Sequence, residues 1–244
     1  MIFHKIPKPI TIIGEMSNKC ISYASCNFTY INKFKNKSRY LVNKNVKDFY
    51  KKYLKNYEKI KSNIIKIETS SEFASSYSSL FGNLNLTSVF NKEWFNIRLK
   101  YNKEFFDNLL VFHIKRKFYK YEISNSINDL NLDVVNKMVD DAYKAYDENN
   151  FKFFGTLIDS FFRLKIKSNP IIMNQYLYNL YSSCRLAGAW GGKMDENTMI
   201  LLAPKEKHEN ILEVMKENIK LKSSLNTTGI ITEELFSGNS NCCK

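Results

Sequence analysis

The sequence predicts an α+β fold, and three observations predict it. The first half is rich in short β-branched and aromatic runs separated by polar turns. The second half carries apolar residues at helical spacing in three successive segments. One buried strand pattern and a last amphipathic helix follow them. The order is thus strand-rich, then helix–helix–helix–strand–helix, which indicates an α+β protein.

Taken in order, Ile6 to Gly14 (IPKPITIIG) is a β-branched run closed by a glycine, a strand entering a turn. Ile21 to Ile31 is dense in strand formers and continues the sheet, and Arg39 to Val42 is a further short strand. Val46 to Ile60 sets Val46, Phe49, Tyr50, Tyr53, Leu54, Tyr57 and Ile60 on one stripe with lysines opposite, the pattern of an amphipathic helix. Asn63 to Thr69 returns as a strand. Ser70 to Ser79 holds six serines in ten residues and neither glycine nor proline. Leu84 to Phe90 and Trp94 to Lys100 read as strands, and Leu109 to Phe112 as a buried one.

Asp133 is placed to cap a helix over Val134 to Tyr146. Phe151 to Ile166 forms a second helix, with Phe154, Leu157, Ile158 and Phe161 inward. A third opens at Asn169-Pro170 and is ended by Gly188 and Gly191-Gly192. Met199 to Ala203 is a buried strand. Pro204 sits in the first turn of a last helix running to Ile219, where its missing N–H costs nothing.

Composition narrows the class. Of 244 residues, 44% are hydrophobic and 25% charged, so the chain can bury a core and global disorder is excluded. The net charge of +13 is uneven: residues 1–122 carry 23 Lys/Arg against 9 Asp/Glu, residues 123–244 carry 14 against 15. The basic half could meet an anionic partner such as a phosphorylated sugar or nucleic acid. Lys, Asn, Ile, Phe and Tyr are all abundant, however, as a genome biased toward A and T would also give. Five cysteines lack metal-type spacing, and Cys242-Cys243 lie in an expected flexible tail, 237–244. No apolar run reaches transmembrane length, which predicts a soluble, cytoplasmic protein.

The most specific stretch is Ala187 to Met215, AGAWGGKMDENTMILLAPKEKHENILEVM. It resembles the C-terminal signature of the GHMP kinases, especially the branch acting on D-glycero-D-manno-heptose 7-phosphate and other sugars. There, AGA-x-GGK leads into a glycine-rich loop, a buried strand, a proline and a helix. Pro9 to Asn18 (PITIIGEMSN) resembles the family's first motif, and Ser76 to Asn85 (SYSSLFGNLN) its Gln-Tyr-Ala-Ala-x-Phe-Gly-Gly-x-Asn segment. The resemblance implies a GHMP-kinase-like fold with a ribosomal-protein-S5-domain-2-like N-terminal part, 1–122, and a ferredoxin-like C-terminal α/β sandwich, 123–236. It also implies ATP-dependent phosphorylation of a sugar.

The departures from that pattern fall on the chemistry. Phosphoryl transfer needs main-chain N–H groups around the triphosphate, a carboxylate at the sugar hydroxyl and a Mg²⁺ ligand. The family's phosphate loop should follow Thr69, where the chain instead runs through Ser70 and Ser71 into Ser75 and Ser76. Ser75 stands at the family's catalytic Asp, and a hydroxyl cannot match a carboxylate as base near neutral pH. The first-motif Asp corresponds to Asn18. The last glycine loop is replaced by Met194 to Thr198, whose Asp195 and Glu196 would repel phosphates.

The expectation is therefore a degenerate sugar-kinase homologue, a pseudokinase without catalytic residues. It would bind a sugar or sugar phosphate, or regulate an active relative as a homodimer or heterodimer. Substrate-binding candidates are Glu15, Asn18 and Tyr77; phosphate candidates are Ser70, Ser71, Ser75, Ser76, Gly191, Gly192 and Lys193. No metal or cofactor is expected. ATP and Mg²⁺ enter only under the alternative of an active kinase with a rebuilt phosphate site. A second alternative is nucleic-acid binding through the basic half.

Overall fold

The computed structural model describes residues 2–14, 17–32, 77–79, 81–90, 93–115, 131–168, 175–195, 197–229 and 231–234. Five strands form a first, antiparallel sheet: β1 (Ile2–Ile13), β2 (Lys19–Asn32), β3 (Leu84–Phe90), β4 (Glu93–Arg98) and β9 (Ile231–Glu234). Their order is β4-β3-β2-β1-β9. Alternation gives the sheet two unlike faces. Ile10, Tyr23 and Leu84 lie opposite one another across three strands, and with Ile12, Ile21 and Leu86 they join the hydrophobic core. On the other face Thr11 lies opposite Ser22, Ser22 opposite Asn85, and Asn85 opposite Arg98.

Two prolines inside β1 are tolerated because of where they fall. β9 pairs with β1 only over Ile2 to Lys5, so Pro7 and Pro9 sit past its end, where a missing N–H breaks no ladder with it. The ladder to β2 shifts register between Pro7 and Lys8. Gly14 ends β1 at φ +87°; a Cβ there would stand 2.2 Å from the Lys19 carbonyl oxygen.

The second sheet takes β5 (Leu109–His113), β6 (Gly191–Asp195), β7 (Thr198–Leu202) and β8 (Ile219–Leu221), ordered β6-β7-β5-β8. The helices are α1 (Lys103–Asp107), α2 (Leu132–Asp147), α3 (Phe151–Ser168), α4 (Gln175–Leu186) and α5 (His208–Val214). Leu109, Val111, Ile200 and Leu202 face the same core as the first sheet; Leu110, Phe112, Met199 and Leu201 face a second cluster with α4 and α5. Burial of Phe105, Phe154 and Phe161 in the first cluster is worth about 2–3 kcal/mol each before entropy.

The observed elements correct several expected ones. Asn131, not Asp133, caps α2: its side chain accepts from the N–H of Asp133 and of Val134. The last helix stops at Val214 after a 3-10 turn, Lys205–Lys207, and Ile219 begins β8 instead. Helix α4 ends at Leu186, so Gly191 and Gly192 do not close it but open β6. Steric closeness is the reason. A Cβ on Gly191 would lie 1.8 Å from the Gly155 carbonyl oxygen of α3, and one on Gly192 2.2 Å from that of Ile200. The expected elements at Arg39–Val42, Val46–Ile60 and Asn63–Thr69 lie outside the described residues.

β5 comes from the first half of the chain yet belongs to the second sheet, and β9 from the C-terminal part completes the first. Gly191→Ala is expected to cost about 2–3 kcal/mol, as forced overpacking does, read as a lower urea midpoint with unchanged slope. Ser183→Ala, on the exposed side of α4, should stay within ~0.5 kcal/mol of the parent.

Candidate functional site

Where the two sheets meet, a row of polar side chains crosses the end of the second one. Asp195 on β6 lies opposite Thr198 on β7, which lies opposite His113 on β5. Directly opposed residues of antiparallel strands share a face, and this face is that of Val111 and Ile200, turned toward the first sheet. Lys8 reaches across from β1 and donates from Nζ to Thr198 Oγ1 at 2.8 Å. Lys165 of α3, 3% exposed, stands 3.7 Å from Asp195 Oδ1. Lys193, next along β6, is fully buried.

This junction brings together ammonium, carboxylate, hydroxyl and imidazole groups. His113 titrates below the ordinary imidazole range, first because it is partly buried and then because Lys8 faces it. The backbone at Asn197 opposes that shift. The same residue's carbonyl accepts from the Ile114 N–H at 2.8 Å and ties the β6–β7 turn to β5. A neutral imidazole at neutral pH can take or give a proton, and the lysines can hold an oxyanion. Among the described residues no group of three or more His, Cys, Asp or Glu is placed to hold a metal.

A second polar region lies on the other face of the first sheet. Residues 77–79 and 81 are helical, and Ser78 and Ser79 are fully buried against the sheet. The hydroxyls of Ser22 and Ser78 meet at 2.8 Å. Asn85 Nδ2 donates to Ser78 Oγ at 3.2 Å, and Asn96 Nδ2 donates to Asn85 Oδ1 at 3.2 Å. At the far end of β1 the turn is closed by Ser17, whose hydroxyl donates to the Lys19 carbonyl at 2.5 Å. Lys19 leaves the turn toward α2 and meets both carboxylate oxygens of Asp140, at 2.8 and 2.6 Å.

The residues singled out from sequence fall in separate places. Asn18 is exposed in the β1–β2 turn. Tyr77 lies against Phe81, ring centroids 4.6 Å apart. Gly191, Gly192 and Lys193 are strand residues buried beneath α3, not an open loop. Glu15, Ser70, Ser71, Ser75 and Ser76 lie outside the described residues. Sequence reading missed Lys8, His113 and Thr198. Their only local signal was proximity in sequence to the first-motif strand, the buried LLVF run and the start of the MILL strand.

The sequence matches no protein-family model and no curated protein. Solved structures do match over nearly the whole chain. Mevalonate diphosphate decarboxylase from Staphylococcus aureus superposes with a TM-score of 0.65 at 14% identity, covering 96% of this chain and 99% of that one. A D-glycero-D-manno-heptose 1-phosphate kinase from Bacteroides thetaiotaomicron gives 0.62 at 11% identity, covering 97% and 100%. The Lin0012 protein from Listeria innocua gives 0.67 at 12% identity, covering 96% and 99%. Identities this low establish a shared fold, and the resemblance drawn from sequence is to the same group of proteins.

Because the folded His113 holds its proton less tightly than the unfolded chain does, nothing is lost above its ordinary value of about 6.5. Below that, the unfolded state protonates first and stability falls until the lowered folded pKa is passed. His113→Gln should flatten this part of the loss between about pH 7 and pH 5. Urea midpoints of both proteins across that range check it; parallel curves would show that His113 carries none of the dependence.

Proposed function

From the GHMP-kinase fold as premise, we propose that this protein is a degenerate sugar-kinase homologue. It binds a sugar or sugar phosphate, or regulates a partner, without transferring phosphate. The division into a ribosomal-protein-like N-terminal part, 1–122, and a ferredoxin-like C-terminal part, 123–236, belongs to the same reading. So does assembly as a homodimer or with an active relative.

The observation that carries it is the β6–β7 hairpin. The family resemblance expects a glycine-rich phosphate loop at this place, and the chain has a strand turn whose Asp195 carboxylate is tied to Lys165. A carboxylate beside a triphosphate opposes its charge instead of cradling it. The two glycines before the turn are consumed by the close approach of α3 and β7. On the N-terminal side, Asn18 supplies an amide where the family motif has a carboxylate. Positioning and charge stabilisation provide nearly all of phosphoryl-transfer catalysis, so these replacements bear on nucleotide binding and on rate alike. Lys8, His113 and Thr198 remain as groups that a sugar hydroxyl or a single phosphate could meet.

Thermal unfolding with and without Mg-ATP tests the reading. At nucleotide concentrations of about 1 mM the midpoint should not move. A site occupied at 100 times its Kd would add about 2.7 kcal/mol. A rise of several degrees would favour the active-kinase alternative. A sugar-phosphate panel run in the same way should contain at least one compound that raises the midpoint, with Lys8→Gln abolishing the rise.

A further inference from the structure

At the free edge of the second sheet, away from the junction with β1, lies a charged cluster that the proposed function does not use. Asp159 on α3 is nearly buried, its side chain 10% exposed. One of its oxygens accepts from the hydroxyl of Tyr181 on α4, and the same hydroxyl lies 2.9 Å from the Gly192 carbonyl oxygen on β6. The other oxygen accepts from Arg163 Nε at 2.9 Å, and Arg185 Nε stands 3.7 Å from the first. Arg185 also donates from Nη1 to the Ala189 carbonyl. Two guanidinium groups from two helices therefore converge on one carboxylate. Tyr181 adds no charge, since burial, first, and Asp159, second, push its pKa far up.

The local balance is positive. Residues 151–186, which include α3 and α4, contain five basic residues and one acid, and that acid is Asp159. Lys165 points inward to Asp195, but Lys167, one turn beyond Arg163, is exposed. Arg163 gives Asp159 its Nε and leaves its side chain 62% exposed. A guanidinium held at one edge by a buried carboxylate presents its other edge at fixed orientation. That is the arrangement that reads a planar or tetrahedral oxyanion through paired N–H donors.

We propose that the surface where Arg163 of α3 and Arg185 of α4 converge is a phosphate-monoester site, with Asp159 as the positioning residue. The incoming anion offsets the charge that one carboxylate leaves on two guanidiniums. A small phosphorylated metabolite and a phosphorylated side chain of a protein present the same group, and the recognising chemistry is the same for both.

Inorganic phosphate is the first probe, titrated against the full chain at constant ionic strength and followed by the Arg Nε–H resonances. Saturable shifts of Arg163 and Arg185 are expected with a Kd of about 1 mM. Arg163→Gln, with Arg185 still beside Asp159 and folding checked by its urea midpoint, should weaken binding at least ~10-fold. Lys152→Gln, elsewhere on the exposed side of α3, should leave it unchanged. Glucose 6-phosphate and a phosphoserine peptide, titrated separately, show by the tighter of the two which source the site serves. Absence of saturable shifts, or equal loss in Arg163→Gln and Lys152→Gln, would overturn the proposal, since diffuse attraction would then account for everything seen.

Discussion

The fold depends on one close approach, that of the α3 main chain onto β6. Gly155 and Gly191 meet there without side chains, and a Cβ on either would collide with its neighbour, at 2.9 Å from Trp190 Cβ or 1.8 Å from the Gly155 carbonyl. With the helix this near the strand, one stretch of α3 serves two cores. Phe154, Leu157, Ile158 and Phe161 enter the cluster shared with the first sheet, while Phe162 enters the one beneath α4 and α5. A bulkier residue at the crossing would lift the helix and open both. The same approach brings Asp159 and Tyr181 to the carbonyl of Gly192 at the edge of the sheet.

Polarity is distributed with equal consequence in the first sheet. Its inner face is apolar, and its outer face buries Ser22, Ser78, Ser79, Asn85 and Thr87. Most of these are tied into a chain of hydrogen bonds from Ser22 through Ser78 and Asn85 to Asn96. Asn85 Nδ2 also approaches the carbonyls of Gly82 and Asn83, at 2.9 and 3.1 Å, which holds the left-handed turn at those two residues. Such a network specifies how the helical residues 77–79 dock, because a slipped docking would leave several buried amides and hydroxyls unpaired at ~1–3 kcal/mol each. Tyr23 on the inner face has the opposite character. Among the described residues its buried hydroxyl has no hydrogen-bond partner, and burial drives its pKa upward, so it acts as a large apolar ring beside Phe106.

Much of this architecture was legible in the sequence where periodicity was strong. Leu84–Phe90 and Leu109–His113 follow the strand pattern closely, and α2 and α3 fall within a few residues of the amphipathic stripes. Helix α1 was not legible: its five residues, KEFFD, are too short to show a period, and only the cap from Asn102 to the Phe105 N–H marks it. Nor was the role of Gly191 and Gly192, since a glycine pair after a helix signals a C-cap locally and only the tertiary crossing shows why side chains are excluded. The candidate site was harder still. Lys8, His113 and Thr198 lie far apart in the chain, and no short motif links them. What brings them together is the register of three strands and the reach of one lysine across the sheets.

That register also bears on what the site can do. Asp195, Thr198 and His113 stand in one row, a carboxylate, a hydroxyl and an imidazole in succession, with Lys8 donating to the hydroxyl. A triphosphate is matched by many main-chain N–H donors converging from a glycine loop. A row of side chains offers few donors, each with its own desolvation cost, and suits a ligand with few charges and several hydroxyls. Under the proposed function the scaffold's ancestral recognition of a sugar would therefore outlast its recognition of nucleotide. On that reading the sugar would be met by side chains that strands still position, whereas the glycine loop that would meet the nucleotide is replaced by Met194 to Thr198.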